Sequence, residues 1–135
     1  MENPPLHGRS ILIVEDEPLI ALDIAQAFED VGAEPVISST LQEALVCVEM
    51  ERLAAAVVDH SLRDEDSGPV CQRLTERELP FVVYSGLSKP HGACAVGVHV
   101  TKPENPKALV SILGRLITAP REAGGGGREN SSEQR

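Results

Sequence analysis

Chemically reactive side chains end four of the short apolar segments in this sequence. Glu15 and Asp16 follow "SILIV", and Asp59 ends "AAAVVD". Ser85 ends "PFVVYS", and Lys102 follows "GVHVT". Carboxylates, a hydroxyl and an ammonium group together could bind a divalent cation and stabilise the charge of a phosphoryl group.

The segments that carry these residues belong to an alternating pattern. Short apolar runs predict five strands, at residues 10–15, 34–38, 54–59, 80–85 and 97–101. Helical repeats lie between most of them, and strands that alternate with helices favour a parallel sheet covered on both faces. The predicted fold class is therefore α/β, with a doubly wound five-stranded parallel sheet.

Four helices are expected around this sheet. Pro18 suits the start of the first helix and Gly32 its end. Thr40 and Glu43 predict a capping box for the second helix, and Asn105 predicts a cap for the last. The residues expected on their buried faces are Ile20, Ile24, Phe28 and Val31; Leu41, Ala44, Leu45 and Val48; Val70 and Leu74; and Leu109, Ile112, Leu113 and Leu116.

The stretch between the fourth and fifth strands breaks this alternation. It reads "GLSKPHGACAV", residues 86–96, with Pro90 and Gly92 in its middle. Both residue types disfavour a helix interior, and the stretch is too short for a full helix with loops. We expect one turn of helix at most, or an irregular loop, and we expect this stretch to be mobile.

In an open parallel sheet, ligands bind beyond the carboxyl ends of the strands, so the reactive side chains should converge there. Gathered carboxylates repel one another, and a hard cation such as Mg²⁺ relieves that repulsion. We expect Asp16 and Asp59 to bind Mg²⁺ directly and Glu15 to act through water. A backbone carbonyl near Ser61 could add a further oxygen.

Asp59 is then the candidate nucleophile toward a phosphoryl group. Lys102 would neutralise charge on the transferred group, and Gly86 would leave space beside it. A hydrolase that attacks phosphoesters with an aspartate is an alternative, but such enzymes have a second acid two residues after the nucleophile. This chain has Ser61 there.

The ordered segments "ILIVEDEPLIALDI", "AAAVVDHSL", "FVVYSG" and "VTKP" together resemble the receiver domain of two-component response regulators, over about residues 9 to 118. The resemblance implies a flavodoxin-like sheet with strand order 2-1-3-4-5. It also implies that the chain accepts a phosphoryl group from a sensor histidine kinase or a histidine phosphotransfer protein.

The resemblance further implies roles for individual residues. Asp59 would be the phosphoacceptor, and Glu15 with Asp16 would be the acidic pair. Ser85 would be the switch hydroxyl, and Lys102 the phosphate-binding lysine.

The chain departs from the family pattern in several places. Glu15 stands where aspartate is commoner, and His99 stands where the family often has a rotating aromatic ring. The helix that the family has between its fourth and fifth strands is foreshortened here, at residues 86–96, and "PFVVYSG" is similar to a single-domain subgroup that carries a "PFxFATGY" motif. The Lys102–Pro103 peptide bond is usually cis in the family.

Composition limits the partners and the location. The chain has 135 residues and a formal net charge of −9, which argues against a nucleic-acid surface. No apolar run approaches the roughly 20 residues of a membrane span, and no signal peptide is recognisable, so a cytoplasmic protein without membrane contact is expected. Cys47, Cys71 and Cys94 should be reduced thiols that act as small hydrophobes.

We expect a flexible N-terminus at residues 1–8, a receiver domain at 9–119 and a disordered glycine-rich tail at 120–135. The charged stretch "RDEDSG" (63–68) and His60 are expected at the surface.

The predicted function is that of a stand-alone receiver, a monomer or a weak phosphorylation-dependent dimer. It would signal to a partner protein, relay the phosphoryl group or drain it from a kinase. Apart from its own phosphotransfer and dephosphorylation it should not be an enzyme. The alternative is a receiver-like interaction module that works without phosphorylation.

Overall fold

Five parallel strands form the central sheet of the computed structural model, which describes residues 5–62, 65–86, 92–102 and 105–118. The strands are β1 (Ser10–Val14), β2 (Glu34–Ser38), β3 (Leu53–Asp59), β4 (Phe81–Ser85) and β5 (Val98–Thr101). They lie in the order β2-β1-β3-β4-β5, and every neighbouring pair is parallel. The predicted flavodoxin-like fold class and strand order are confirmed.

Helices cover both faces of this sheet. They are α1 (Pro18–Glu29), α2 (Leu41–Cys47), α3 (Gly68–Glu76) and α4 (Pro106–Thr118). Helices α1 and α4 pack on the face that carries Ile13, Val57 and Val82. Helices α2 and α3 pack on the face that carries Val14 and Val83. Successive strand residues point to opposite faces, so each strand supplies both cores.

Helix caps follow the sequence prediction with one difference. The Thr40 hydroxyl accepts a hydrogen bond from the Glu43 N–H at 3.1 Å, and the Asn105 side chain accepts one from the Lys107 N–H at 2.8 Å. The difference concerns the second bond of the capping box. The Glu43 carboxylate accepts from the N–H of Ser39 at 2.9 Å, whereas a capping box would have the N–H of the cap residue Thr40 as the donor.

The buried face of α1 is shifted from the predicted stripe. Ala21, Ile24, Ala25 and Phe28 are buried, whereas Ile20 is 40% exposed. The two alanines allow α1 to lie close to the sheet, and this leaves the larger Ile20 at the margin. Leu45 of α2 is likewise more exposed than predicted, whereas the predicted inward residues of α3 are buried.

A short 3₁₀ helix, Gly92–Val96, is the described part of the stretch predicted to be weakly helical. Cys94 anchors it in the core beside α3. The residue that follows, Gly97, has no room for a side chain, because a Cβ there would lie 2.5 Å from the Phe81 ring. Residues 92–96 form no α-helix, in line with the weak helix expected, but their five-residue 3₁₀ helix is somewhat longer than the single turn predicted. Residues 87–91 lie outside the described part.

The domain begins earlier than residue 9. Leu6 is buried against α1 and α4, and the Gly8 N–H donates to the Gly32 carbonyl at 2.8 Å. Residues 5–8, expected to be a flexible N-terminus, form a turn that places Leu6 in the core. The predicted tail at 120–135 lies outside the described residues.

None of the described helices is long and apolar enough to cross a bilayer. The three cysteines are free thiols, as predicted; Cys71 and Cys94 are buried as expected, whereas Cys47 is half-buried.

Candidate functional site

Three carboxylates meet at the carboxyl edge of the sheet. Glu15 follows β1 and Asp59 ends β3, and these strands are neighbours. Oxygen atoms of Glu15, Asp16 and Asp59 all lie within 4.8 Å of one another. Glu15 and Asp59 are buried, and Asp16 is half-buried. A set of ligands made only of oxygen suits a hard cation such as Mg²⁺, so the residues fit the predicted metal.

Asp59 is held by two neighbours. Lys102 donates from Nζ to Asp59 Oδ1 at 3.0 Å, and the Asp59 side chain is only 2% exposed. Ser67 donates from Oγ to the Asp59 carbonyl oxygen at 2.5 Å. The backbone of Lys102 is fixed as well, because its N–H donates to the Ser85 carbonyl at 2.6 Å. These bonds orient the carboxylate and the lysine toward each other.

Ser67 is a site residue that the sequence reading missed. The stretch 63–68 was predicted to be a solvated loop, yet Ser67 is completely buried. A short antiparallel pair, Ser61–Leu62 with Glu65–Asp66, turns the chain back so that Ser67 reaches the end of β3. His60 was also predicted at the surface but is buried, and its backbone N–H donates to the Tyr84 carbonyl of β4 at 3.0 Å.

Glu15 is bonded at both carboxylate oxygens. The Tyr84 hydroxyl donates to Oε1, and the Glu17 N–H donates to Oε2 at 2.9 Å. Burial raises the pKa of Glu15 to about 7, because the charged form loses hydration. The two hydrogen bonds favour the charged form and limit this rise, and the Asp59 charge adds to it.

Tyr84 is the second residue that the sequence reading missed. It lies beside Asp59 in the register of β3 and β4, so both side chains point to the same face. Its ring lies beneath the Lys102 ammonium, 4.8 Å from Nζ to the ring centroid. Burial raises the pKa of Tyr84, so its hydroxyl stays protonated as a donor. The sequence signal that could have found Tyr84 is the period of two along a strand, because Tyr84 lies two residues after Val82 and faces the same core.

Ser85 and His99 meet on the opposite face. The Ser85 Oγ lies 2.7 Å from His99 Nε2, and Ser85 is buried while His99 is exposed. A Cβ placed on Gly86 would meet no described atom within 4 Å, in keeping with the predicted space beside the site. Ser61 immediately follows His60 at this edge, and the predicted cis bond to Pro103 lies outside the described residues.

Solved structures show which proteins share this fold, whereas no protein-family model and no curated protein matches the sequence. A response regulator receiver domain protein from Methanospirillum hungatei JF-1 superposes with a TM-score of 0.72 at 24% identity, over 82% of this chain and 94% of that chain. SdrG from Sphingomonas melonis Fr1 is 34% identical, with a TM-score of 0.70, over 82% of this chain and 98% of that chain. The chain belongs to the response regulator receiver-domain family.

Part of a longer protein is also similar to this chain. The anti-anti-sigma factor PhyR of Bartonella quintana, solved as a mutant with two substitutions, is 27% identical with a TM-score of 0.66. The match covers 82% of this chain and 48% of PhyR. Receiver domains bind Mg²⁺, and the acidic cluster of this receiver domain supplies oxygen ligands of the required kind.

Proposed function

We propose that this receiver domain accepts a phosphoryl group on Asp59 from a histidine kinase or a histidine phosphotransfer protein in the cytoplasm. The observation that carries the proposal is the setting of Asp59. Its carboxylate is buried, bonded to Lys102 at 3.0 Å and clustered with two further acids. A buried carboxylate among like charges is costly, and a site that binds a cation and a phosphoryl group accounts for that cost.

Phosphoryl transfer would involve Asp59 as the nucleophile and Lys102 as a compensating charge. The Asp59 carboxylate attacks the phosphorus of a phosphohistidine, so a P–O bond forms while the P–N bond breaks. The electron pair of the broken bond stays on the imidazole. Lys102, already beside Asp59, compensates the charge of the phosphoryl oxygens. Asp16 and Asp59 would hold Mg²⁺ directly, Glu15 would reach it through water and the Ser61 carbonyl would offer a further oxygen; a cation held there would compensate further charge.

The signal follows from a movement of Ser85. The Ser85 hydroxyl is hydrogen bonded to His99 in the structure, and a phosphoryl group on Asp59 would offer this hydroxyl a charged acceptor. The stretch after Gly86 adjoins Ser85 and ends in a short 3₁₀ helix, which makes it the candidate for rearrangement. We propose that a partner protein reads this rearrangement, or that the domain relays or drains the phosphoryl group, with no enzymatic activity beyond its own phosphotransfer and dephosphorylation.

An interaction module that works without phosphorylation is the second candidate. In such a module nothing would require Lys102, Asp59 and the acidic pair to stay together. Their proximity in this structure favours the phosphoacceptor.

The test uses the full chain, Mg²⁺ and a small phosphodonor such as acetyl phosphate, followed by intact mass measurement. The wild type should gain one phosphoryl group, and Asp59→Asn should gain none. Asp23→Asn is the matched control, because Asp23 is exposed on α1 and the substitution changes the charge equally. An unmodified wild type would contradict the proposal, and an equal adduct on Asp59→Asn would assign it to another residue.

A further inference from the structure

Tyr84 sits in the centre of the acidic site although no metal or phosphoryl chemistry requires a tyrosine there. It is the only tyrosine in the chain, and the chain has no tryptophan. The fold requires only an apolar side chain at this strand position, since Val82 fills the equivalent place on the same face two residues earlier. A buried hydroxyl must be hydrogen bonded to be tolerated, so its partner is the informative part of the structure.

The hydroxyl has a specific partner. It donates to Oε1 of Glu15, while the Glu17 N–H donates to Oε2. A glutamate is one methylene longer than an aspartate and has one more rotatable bond, so it needs more restraint to hold a fixed place beside a cation. The two donors supply that restraint from opposite sides of the carboxylate.

The ring has a second partner. The Lys102 ammonium lies over it at 4.8 Å from the centroid, within the range of a cation–π contact. The same ammonium bonds Asp59 Oδ1 at 3.0 Å. The ring therefore supports the flexible lysine side chain from below and keeps its charged end at the acceptor.

We propose that Tyr84 is a positioning residue of this site: its hydroxyl holds Glu15 for Mg²⁺, and its ring holds Lys102 against Asp59. This inference rests on the proposed function, because it concerns the same cation and the same acceptor. In this role Tyr84 acts through Glu15 and Lys102, the two side chains it contacts.

The first experiment measures Mg²⁺ affinity by titration calorimetry on the full chain, without a phosphodonor. Tyr84→Phe keeps the ring and removes the hydroxyl. Groups that orient direct metal ligands are worth about 10-fold to 100-fold in affinity, and Glu15 would act through water, so we expect a smaller loss, with Mg²⁺ bound about threefold to tenfold more weakly. An affinity within about twofold of the wild type would overturn the role of the hydroxyl.

The second experiment asks whether Tyr84 acts through Glu15. In Glu15→Gln the carboxylate that the hydroxyl orients is gone, so adding Tyr84→Phe should weaken Mg²⁺ binding no further than about twofold. A purely structural effect of Tyr84→Phe would instead multiply with that of Glu15→Gln, and this outcome would overturn the proposal. Thermal unfolding of each variant verifies that it is folded.

The third experiment separates the ring from the hydroxyl. At saturating Mg²⁺, Tyr84→Leu should be phosphorylated about fivefold more slowly than Tyr84→Phe, because only the latter retains the support for Lys102. Equal rates would overturn the role of the ring. If Tyr84→Leu does not fold, the comparison of the wild type with Tyr84→Phe still decides the role of the hydroxyl. A wild type that binds no Mg²⁺ and is not phosphorylated would contradict the proposed function itself, which is a different result.

Discussion

Asp59→Asn should make the metal-free protein more stable, although it removes the ion pair with Lys102. The oxygens of the three acids lie within 4.8 Å of one another, so each repulsion on Asp59 is about 3 kcal/mol at an effective dielectric constant of about 20. The attraction of Lys102 at 3.0 Å is about 5 kcal/mol on the same basis, but Lys102 is 30% exposed and water screens it. Desolvation of the buried carboxylate costs several kcal/mol more. Water also screens the repulsions at the half-buried Asp16, and a buried asparagine amide loses hydration too, so the net gain should be smaller than the simple sum, about 1–3 kcal/mol, or about 4–12 °C in Tm.

Thermal and urea unfolding in a chelator at low salt would measure this gain. Asp23→Asn is again the matched control, since it makes the same chemical change on an exposed part of α1 and should alter stability by less than about 0.5 kcal/mol. An Asp59→Asn protein less stable than the wild type would refute the reasoning, because it would mean that the Lys102 bond outweighs repulsion and desolvation together.

The gain should depend on pH and on Mg²⁺. Burial raises the pKa of Glu15 from 4.5 to about 7, so the Glu15 carboxyl binds its proton more tightly in the folded state than in the unfolded chain. The resulting contribution to stability is complete below 4.5 and is lost as pH rises through about 7. The advantage of Asp59→Asn should therefore be larger at about pH 8, where Glu15 is charged, than at about pH 5.5. Mg²⁺ at 100 times its Kd should stabilise the wild type by about 2.7 kcal/mol, and Asp59→Asn by less.

Three further outcomes are expected. Ser67→Ala leaves the carbonyl at the end of β3 without its bond and should lower the free energy of unfolding by about 1–3 kcal/mol, whereas the exposed Ser111→Ala should change it little; equal effects in urea unfolding would contradict the role of Ser67. Phosphorylation should alter amide hydrogen exchange at 92–101, and Ser85→Ala should be phosphorylated yet lose most of that change. Mg²⁺ should shift the near-ultraviolet absorption of Tyr84, which no other tyrosine or tryptophan obscures; an unchanged spectrum on Mg²⁺ binding would mean that the cation does not reach Glu15.

Strands and their ends could be predicted because each apolar run stops where a polar residue begins. The prediction for β2, residues 34–38, coincides with Glu34–Ser38, and the other strand predictions differ by one residue at an end. The carboxyl ends of parallel strands lie at one edge of the sheet, and this predicts that Asp59 and Lys102 are close together, as the structure shows. This part of the site follows from topology alone.

Residues whose role depends on register or on close approach could not be predicted in the same way. Tyr84 reads as one more apolar residue until β4 is aligned with β3, and the alignment that pairs it with Asp59 is a tertiary property. Ser67 lies in a charged stretch that reads as solvated, and it is buried only because a short hairpin turns back. Ile20 was expected inside, but small residues on α1 set how closely that helix lies to the sheet.

The bond between Ser85 and His99 sets a limit on how strongly the switch can act. Turning the hydroxyl to a phosphoryl oxygen breaks a bond of about 0.5–1.5 kcal/mol to form a charge-assisted one of about 1.5–3 kcal/mol. Lys102 is already bonded to Asp59 before phosphorylation, so its bond adds little to the difference between the two states. The net bias from Ser85 is about 1 kcal/mol, a factor of roughly five, so both arrangements should be populated in the phosphorylated domain.

Removing the competing bond should therefore strengthen the switch. In His99→Phe the hydroxyl has no ring nitrogen to return to, so phosphorylation should move a larger fraction of molecules to the bonded arrangement. Chemical shifts of the Ser85 amide by NMR, averaged between the two arrangements, would measure that fraction in each protein. A smaller phosphorylation-induced shift in His99→Phe would mean that the imidazole assists the movement of Ser85 and does not oppose it, and the limit argued from the hydrogen bond would then be wrong.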